Sequence, residues 1–156
     1  MASSRVSWTN IALKYGILVG VAHIVYFLLM GLLGLHDKTE MSFLSAIFLA
    51  IGICLAIANF KRRRNGTIDY FQGLAIGAIT GVVSSTLLAL FMVLYINLFD
   101  TSYLANLQTS ALFPQSLSML SLFALTIIYG LIPGFLMAFV AMQWFRRADH
   151  SMTERV

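Results

Sequence analysis

The chain has 156 residues, 60% of them hydrophobic and 10% charged, and its formal net charge is +4. A soluble domain is usually about a quarter charged, so this composition excludes a disordered chain and most soluble folds. Four stretches, 15–36, 41–60, 70–99 and 101–145, contain no Asp, Glu, Lys or Arg. They predict an all-α membrane protein with a single integral membrane domain over 1–156.

The first two predicted helices form a hairpin. The first covers 11–35 and is roughly 36 Å long, enough to cross a hydrocarbon core of about 30 Å. No signal-peptide cleavage site follows it, so we expect it to be retained as a transmembrane helix. The second covers 41–60 and ends at the basic run 61–64, after which Asn65-Gly66 predicts a turn.

The third and fourth predicted helices, 69–99 and 116–145, are longer than a perpendicular span requires, so we expect tilt or protrusion. Pro133-Gly134 predicts a weak point or a kink in the fourth helix. Between the two helices, residues 101–113 predict either a short interfacial helix or a partly buried loop.

The basic residues predict the orientation of these helices. Nine of the ten Lys and Arg residues lie at one end of the predicted bundle, and Lys38 alone lies at the other. By the positive-inside rule we expect a four-transmembrane-helix bundle with both termini in the cytoplasm. Cations at the ends of apolar segments are typical of topology signals or anionic-lipid anchors, and we expect no nucleic-acid partner. The predicted anchors are Lys61, Arg62, Arg63, Arg64, Arg146 and Arg147.

Small residues at four-residue spacing predict where the helices touch. Helices in a bilayer associate through close packing and hydrogen bonds, and small side chains permit that approach. The predicted packing residues are Gly73, Gly77, Gly81, Ser85, Ala89, Gly16, Gly20, Gly130 and Gly134. We favour packing inside one bundle, and the alternative is contact with another subunit.

Apart from Cys54 and the tyrosines, only one ionisable side chain, His23, lies well inside a predicted span. Such groups often mark functional sites, but a neutral histidine is also satisfied by a single hydroxyl. No carboxylate shares its depth, so we favour packing or hydrogen bonding, with Thr126 and Tyr129 among the candidate partners. The alternative is an intramembrane polar site formed by His23, Thr126 and Tyr129.

The sequence contains no motif of enzymatic chemistry. The three histidines are assigned to the membrane, the outer loop and the cytoplasmic tail, so they do not form a metal cluster. Phosphate-binding loops, dinucleotide fingerprints and nucleophile elbows do not occur in the sequence. We therefore expect no catalytic residues, no metal and no cofactor.

Four segments occur in the same order as in a known family: KYGILVG at 14–20, GICLAIANFK at 52–61, NGTIDYFQG at 65–73 and FDTSYL at 99–104. They resemble the bacterial family named domain of unknown function 4199, over nearly the whole chain. The most specific part is the basic end of the second helix, the Asn-Gly turn and the glycine-spaced third helix. The resemblance implies a small four-helix inner-membrane protein and supplies no activity.

These observations predict a non-enzymatic accessory or assembly subunit of a bacterial inner membrane, packing through its small-residue faces. The expected partners are membrane lipids and either a second copy or a larger membrane complex. The alternative is a small transporter, channel or lipid-carrier translocase, with His23, Thr126 and Tyr129 near its polar centre and Pro133-Gly134 as a hinge.

Overall fold

Five helices make up the described part of the protein. The computed structural model describes residues 7–35, 39–64, 66, 68–99, 101–109 and 114–145, with only the backbone of 39–43. In chain order the helices are α1 (Trp8–Leu32), α2 (Thr39–Arg63), α3 (Tyr70–Leu98), α4 (Ser102–Thr109) and α5 (Met119–Phe145). The described ranges contain no β-strand.

Four of these helices, α1, α2, α3 and α5, are long and apolar enough to cross a membrane. Their outward surfaces carry large apolar side chains, among them Leu32, Leu98 and Val140. A surface of this kind is suited to lipid, because a soluble monomer rarely exposes contiguous apolar area on this scale. The predicted all-α architecture with four long apolar helices is confirmed, and the orientation of the termini stays a prediction.

The ends of α1 and α2 are set by glycines. Gly34 has φ 65° and its N–H donates to the carbonyl oxygen of Gly31, so α1 ends before the predicted residue 35. Gly66 has φ 87° and its N–H donates to the carbonyl oxygen of Lys61 at 3.0 Å. α2 runs to Arg63, so Lys61, Arg62 and Arg63 are helical and α2 ends three residues beyond the predicted residue 60.

The start of α5 is set by two serines. The N–H of Ser121 donates to Oγ of Ser118 at 3.2 Å, and the N–H of Ser118 donates to Oγ of Ser121 at 2.7 Å. This reciprocal arrangement satisfies donors that the first turn of a helix leaves unpaired. The helix therefore begins at Met119 and not at the predicted residue 116, and it continues through Pro133.

α3 is the central helix, and α1 and α5 pack against different faces of it, while α2 contacts α1, α5 and α3. At the end of the bundle that carries the basic run 61–64, hereafter the basic end, all four long helices contribute to one apolar core. Its largest fully buried side chains include Ile53, Ile57, Phe60, Ile76 and Met142.

α4 packs against the opposite end of the bundle. Tyr103 of α4 is buried, and Leu104 and Leu107 pack against a second apolar cluster that includes Met92, Ile96, Leu117 and Leu122. The side-chain amide of Gln108 donates to the carbonyl oxygen of Leu117 at 2.9 Å. Of the two alternatives for this segment, a helix is therefore present at Ser102–Thr109. Residues 110–113 lie outside the described residues.

Three aromatic rings join α4 to α1 and α3. The ring of Phe27 meets the rings of Tyr95 and Tyr103 edge-on, with centroids 5.3 and 5.6 Å apart. Tyr95 and Tyr103 meet edge-on as well, at 6.0 Å. Edge-to-face pairs at these distances are the favourable arrangement for aromatic rings. This aromatic triad, Phe27, Tyr95 and Tyr103, fixes the position of α4.

Candidate functional site

The contact between α3 and α5 is a backbone-to-backbone seam formed by glycines. A Cβ atom at Gly81 would lie 2.5 Å from the carbonyl oxygen of Gly130, and one at Gly134 would lie 3.1 Å from that of Gly77. A Cβ atom at Gly77 would overlap the Cβ atom of Ala138. The two helices approach this closely because these positions carry no side chain.

Other small residues of the α3 stripe lie along the same seam. The Ser85 hydroxyl donates to the carbonyl oxygen of Gly81 at 2.7 Å, and its Cβ atom lies against Gly130. Ala89 is completely buried, and Gly73 faces the thioether of Met142. The α3 stripe is thus covered by α5 of the same chain.

Gly16 and Gly20 bring α1 onto another face of α3. A Cβ atom at Gly16 would lie 2.7 Å from Cβ of Val83, and one at Gly20 would lie 2.8 Å from Cδ1 of Leu87. One turn before Gly16, the carbonyl oxygen of Ala12 accepts a hydrogen bond from the buried hydroxyl of Thr80 at 3.4 Å. At Gly16 and Gly20 of this seam, and at Gly77, Gly81 and Gly130 of the α3–α5 seam, a Cβ atom would come closer than 3.0 Å to a neighbouring atom.

The side chain of His23, a residue of α1, faces α2 and is 8% exposed. Its Nε2 atom is 3.0 Å from the carbonyl oxygen of Ser45, which fits the tautomer in which Nε2 carries the proton and donates it. The imidazole meets the ring of Phe48 edge-on at 6.5 Å. Its Nδ1 atom is buried and has no hydrogen-bond partner among the described residues.

The structure does not gather His23, Thr126 and Tyr129 into one polar site. The contacts of His23 go to α2, whereas the Thr126 hydroxyl donates to the carbonyl oxygen of Leu122 inside α5 at 2.7 Å. Tyr129 is on α5 as well and is 48% exposed. The partner of His23 is a backbone carbonyl, and because every residue has one, no sequence pattern singles it out.

Lys61 is the buried member of the basic run, at 8% exposed. Its Nζ atom donates to the carbonyl oxygen of Phe145 at 2.8 Å and lies 5.9 Å from the centroid of the Phe145 ring. A cation at this position complements the partial negative charge at the C-terminal end of α5. Lys61 therefore joins the ends of α2 and α5.

Arg64 is bonded within the turn between α2 and α3. One terminal nitrogen of its guanidinium donates to Oε1 of Gln72 at 2.8 Å and lies 3.7 Å from a carboxylate oxygen of Asp69. Both groups of this ion pair are exposed, so its electrostatic contribution to stability is small. Its effect is to hold the turn against the start of α3.

Arg62 and Arg63 point outward, and both are exposed. Nε of Arg63 donates to Oδ1 of Asn59 at 2.8 Å, and Nδ2 of Asn59 donates to the hydroxyl oxygen of Tyr15 at 2.8 Å. Arg63 and Asn59 of α2 and Tyr15 of α1 thus form a chain of hydrogen bonds between the two helices. The other two predicted anchors, Arg146 and Arg147, lie outside the described residues.

Sequence reasoning gave no functional role to Asn59 or Tyr15, although both lie in segments that resemble the family. A partial signal exists, because Asn59 precedes Arg63 by four residues and such pairs are neighbours on a helix surface. The link from Asn59 to Tyr15 depends on α1 packing beside α2, which sequence spacing does not give.

The described residues hold no group of three or more His, Cys, Asp or Glu side chains that could bind a metal ion. Cys54 is a free thiol on the exposed side of α2. The charged side chains of the described residues lie at the basic end.

Residues 14–147 match the family described as Protein of unknown function (DUF4199). Neither the comparison with curated proteins nor that with solved structures gave a match. The family match covers α1 from Lys14 onward and all of α2 to α5.

Proposed function

The chain belongs to the DUF4199 family of proteins of unknown function, and we propose that it is a non-enzymatic accessory or assembly subunit of a bacterial inner membrane. Its bundle would cross the membrane four times with both termini in the cytoplasm. Its partner would be a second copy or a larger membrane complex. The observation that carries this proposal is the closed packing of α3 against both α1 and α5.

A conduit for a solute needs space and polar lining near the centre of the bundle. At the seams of the central helix, a Cβ atom at Gly16 or Gly81 would already overlap its neighbours. The buried hydroxyls of Thr80, Ser84 and Ser85 donate to backbone carbonyls at these seams. Such close packing at the centre of the bundle favours a rigid accessory subunit over a transporter as the function of the protein.

The partner would contact the outward faces of the long helices, because the α3 stripe is already covered by α5. The outward side chains of α1 include Leu18 and Val21, and those of α5 include Leu136 and Val140. Each is more than half exposed within the chain. Lipid and a partner helix compete for such a face, so association would depend on shape and not on escape from water.

Native mass spectrometry of the protein, extracted gently from its own membrane with its lipids and neighbours, tests this proposal. We expect a reproducible homo-oligomer or a complex with another membrane protein. Leu136→Trp and Val140→Trp should reduce that complex while the melting temperature of the protein in detergent is unchanged. A lone monomer in repeated preparations would contradict the accessory-subunit proposal.

A transporter or channel is the second candidate, and the observation that favours it is the buried, unpartnered Nδ1 atom of His23. A polar pathway reaching this atom would make a thiol at position 23 accessible to water. We therefore suggest His23→Cys in a Cys54→Ala background, labelled with a small membrane-impermeant thiol reagent. Leu122→Cys, at a position with no exposed surface, is the matched control. Rapid labelling at position 23 alone would favour transport.

A further inference from the structure

The exposed end of α2 carries a set of hydrogen-bond donors that the chain holds in place. Nε of Arg63 donates a hydrogen bond to Oδ1 of Asn59, and this bond holds one edge of the guanidinium in place. The two terminal nitrogens of Arg63 have no partner among the described residues. Five donors in a rigid planar fork make arginine suited to oxyanions, and immobilising one edge lowers the entropy lost when the other edge binds.

Tyr15 supplies a second donor, which is bonded to the same asparagine as Arg63. Its hydroxyl oxygen accepts a hydrogen bond from Nδ2 of Asn59, which leaves the hydroxyl proton to be donated elsewhere. No acceptor for that proton lies among the described residues. Asn59 therefore orients both donors: its oxygen holds Arg63 and its nitrogen holds Tyr15.

The position of these donors along the helices selects the kind of anion. Phe60 is buried in the apolar core and Arg63 is the last residue of α2, so the donors lie where the apolar span ends. Tyrosine commonly occupies this depth, with its ring towards the acyl chains and its hydroxyl towards the headgroups. The anions concentrated at this depth are lipid phosphates.

We propose that Tyr15 and Arg63, oriented by Asn59, bind the phosphate of an anionic lipid headgroup or a free phosphate ion. In this site Tyr15 donates through its hydroxyl and Arg63 through its terminal nitrogens, while Asn59 is a positioning residue. Arg62, the next exposed cation, adds positive potential beside the site. Lys61 and Arg64 do not belong to it, because they bond to Phe145 and to Gln72.

The test is lipid binding measured by native mass spectrometry. Purified full-length protein in a nonionic detergent is titrated with phosphatidylglycerol, and phosphatidylcholine serves as the zwitterionic reference. We expect preferential binding of phosphatidylglycerol by the unaltered protein. Arg63→Gln should weaken that binding about fivefold, the effect of one basic residue near a membrane surface. Tyr15→Phe and Asn59→Ala should each weaken it about threefold, as expected for one net hydrogen bond.

Tyr15→Phe and Asn59→Ala leave the charge of the protein unchanged, and this separates a formed site from general attraction. Arg64→Gln removes the same charge as Arg63→Gln but lies outside the site, and should weaken binding less than Arg63→Gln. If the two neutral variants bind phosphatidylglycerol as the unaltered protein does, while both arginine variants weaken it equally, the proposal is wrong. Melting temperatures and size-exclusion profiles show whether each variant is folded, and Tyr15→Phe alone suffices if Asn59→Ala fails to fold.

A second measurement distinguishes the two sources of phosphate. The melting temperature of lipid-free protein is recorded with and without inorganic phosphate, with sulfate-free chloride buffer of equal ionic strength as the reference. A rise that is lost in Tyr15→Phe assigns the site to free phosphate. A preference for phosphatidylglycerol that Tyr15→Phe weakens, without such a rise, assigns it to the lipid headgroup. Absence of both effects overturns the proposal.

Discussion

At the scale of single residues, Gly81 is a position where the backbone of a neighbouring helix leaves no room for a side chain. A Cβ atom there would lie 2.5 Å from a backbone carbonyl of α5, and a backbone atom cannot move aside as the end of a flexible side chain can. We expect Gly81→Ile to destabilise the protein by about 3 kcal/mol or more through overpacking. The measurement is thermal unfolding in detergent, followed by circular dichroism.

Ala124→Ile is the matched control for Gly81→Ile, because position 124 is exposed on α5 and also lies inside a long apolar helix. It adds a side chain of the same final size and should leave the melting temperature nearly unchanged. Equal melting temperatures for Gly81→Ile and the unaltered protein would show that α3 and α5 do not meet at this seam.

Lys61 gives the second prediction at this scale. Its buried amine donates to the carbonyl oxygen of Phe145, so Lys61→Met would leave that oxygen without this donor. We expect a loss of about 1–3 kcal/mol and faster hydrogen exchange in the last turn of α5. Arg62→Met removes an exposed cation one residue away and should leave both quantities unchanged. If Lys61→Met and Arg62→Met lower the stability equally, the loss comes from the removed charge and not from the bond to Phe145.

How far single residues could be predicted from the sequence depended on how local their contacts are. The four-residue spacing of Gly73, Gly77 and Gly81 predicts a close contact face, because periodicity on a helix is a local property. The bond between Lys61 and Phe145 joins residues 84 positions apart. No spacing rule reaches that distance, so the sequence predicts Lys61 only as a topology or lipid anchor and does not predict its burial or its bond to α5.

At the scale of helices, hydropathy and charge predict the four long helices within a few residues of their observed ends. The remaining differences come from capping. Ser118 moves the start of α5, and Gly34 moves the end of α1. α2 continues through Lys61 to Arg63 because Lys and Arg are good helix formers, and because Arg63 bonds back to Asn59 one turn earlier. The kink predicted at Pro133 stays a prediction, since α5 is continuous through it.

α4 carries the prediction at this scale. A helix of eight residues is marginal on its own, so its stability depends on the buried ring of Tyr103 in the aromatic triad. We expect Tyr103→Ala to raise the hydrogen-exchange rate of the α4 amides at least about tenfold, while the α3 amides are unaffected. Asn106→Ala, on the exposed face of α4, is the control. Unchanged exchange in Tyr103→Ala would show that the triad does not hold α4.

At the scale of the whole molecule, the central place of α3 follows from its having two close-packing faces. One carries Gly77 and Gly81 and meets α5, and the other carries Thr80, Val83 and Leu87 and meets α1. The sequence predicts the glycine face and favours a neighbour in the same bundle, with a neighbour in another copy as the alternative. Small-residue faces serve both arrangements equally well in a membrane. The face of α3 that meets α1 is formed by larger side chains, which show no small-residue spacing in the sequence.

Orientation in the membrane is the remaining prediction for the whole molecule. Nine of the ten Lys and Arg residues lie at the basic end by sequence, so the positive-inside rule places that end in the cytoplasm. In a Cys54→Ala background, we expect a membrane-impermeant maleimide to label Ser116→Cys in intact spheroplasts, and Ser151→Cys only after lysis. Cys54→Ala alone is the unlabelled control. Labelling of Ser151→Cys before lysis would reverse the orientation, and the phosphate site of Tyr15 and Arg63 would then face the periplasmic leaflet.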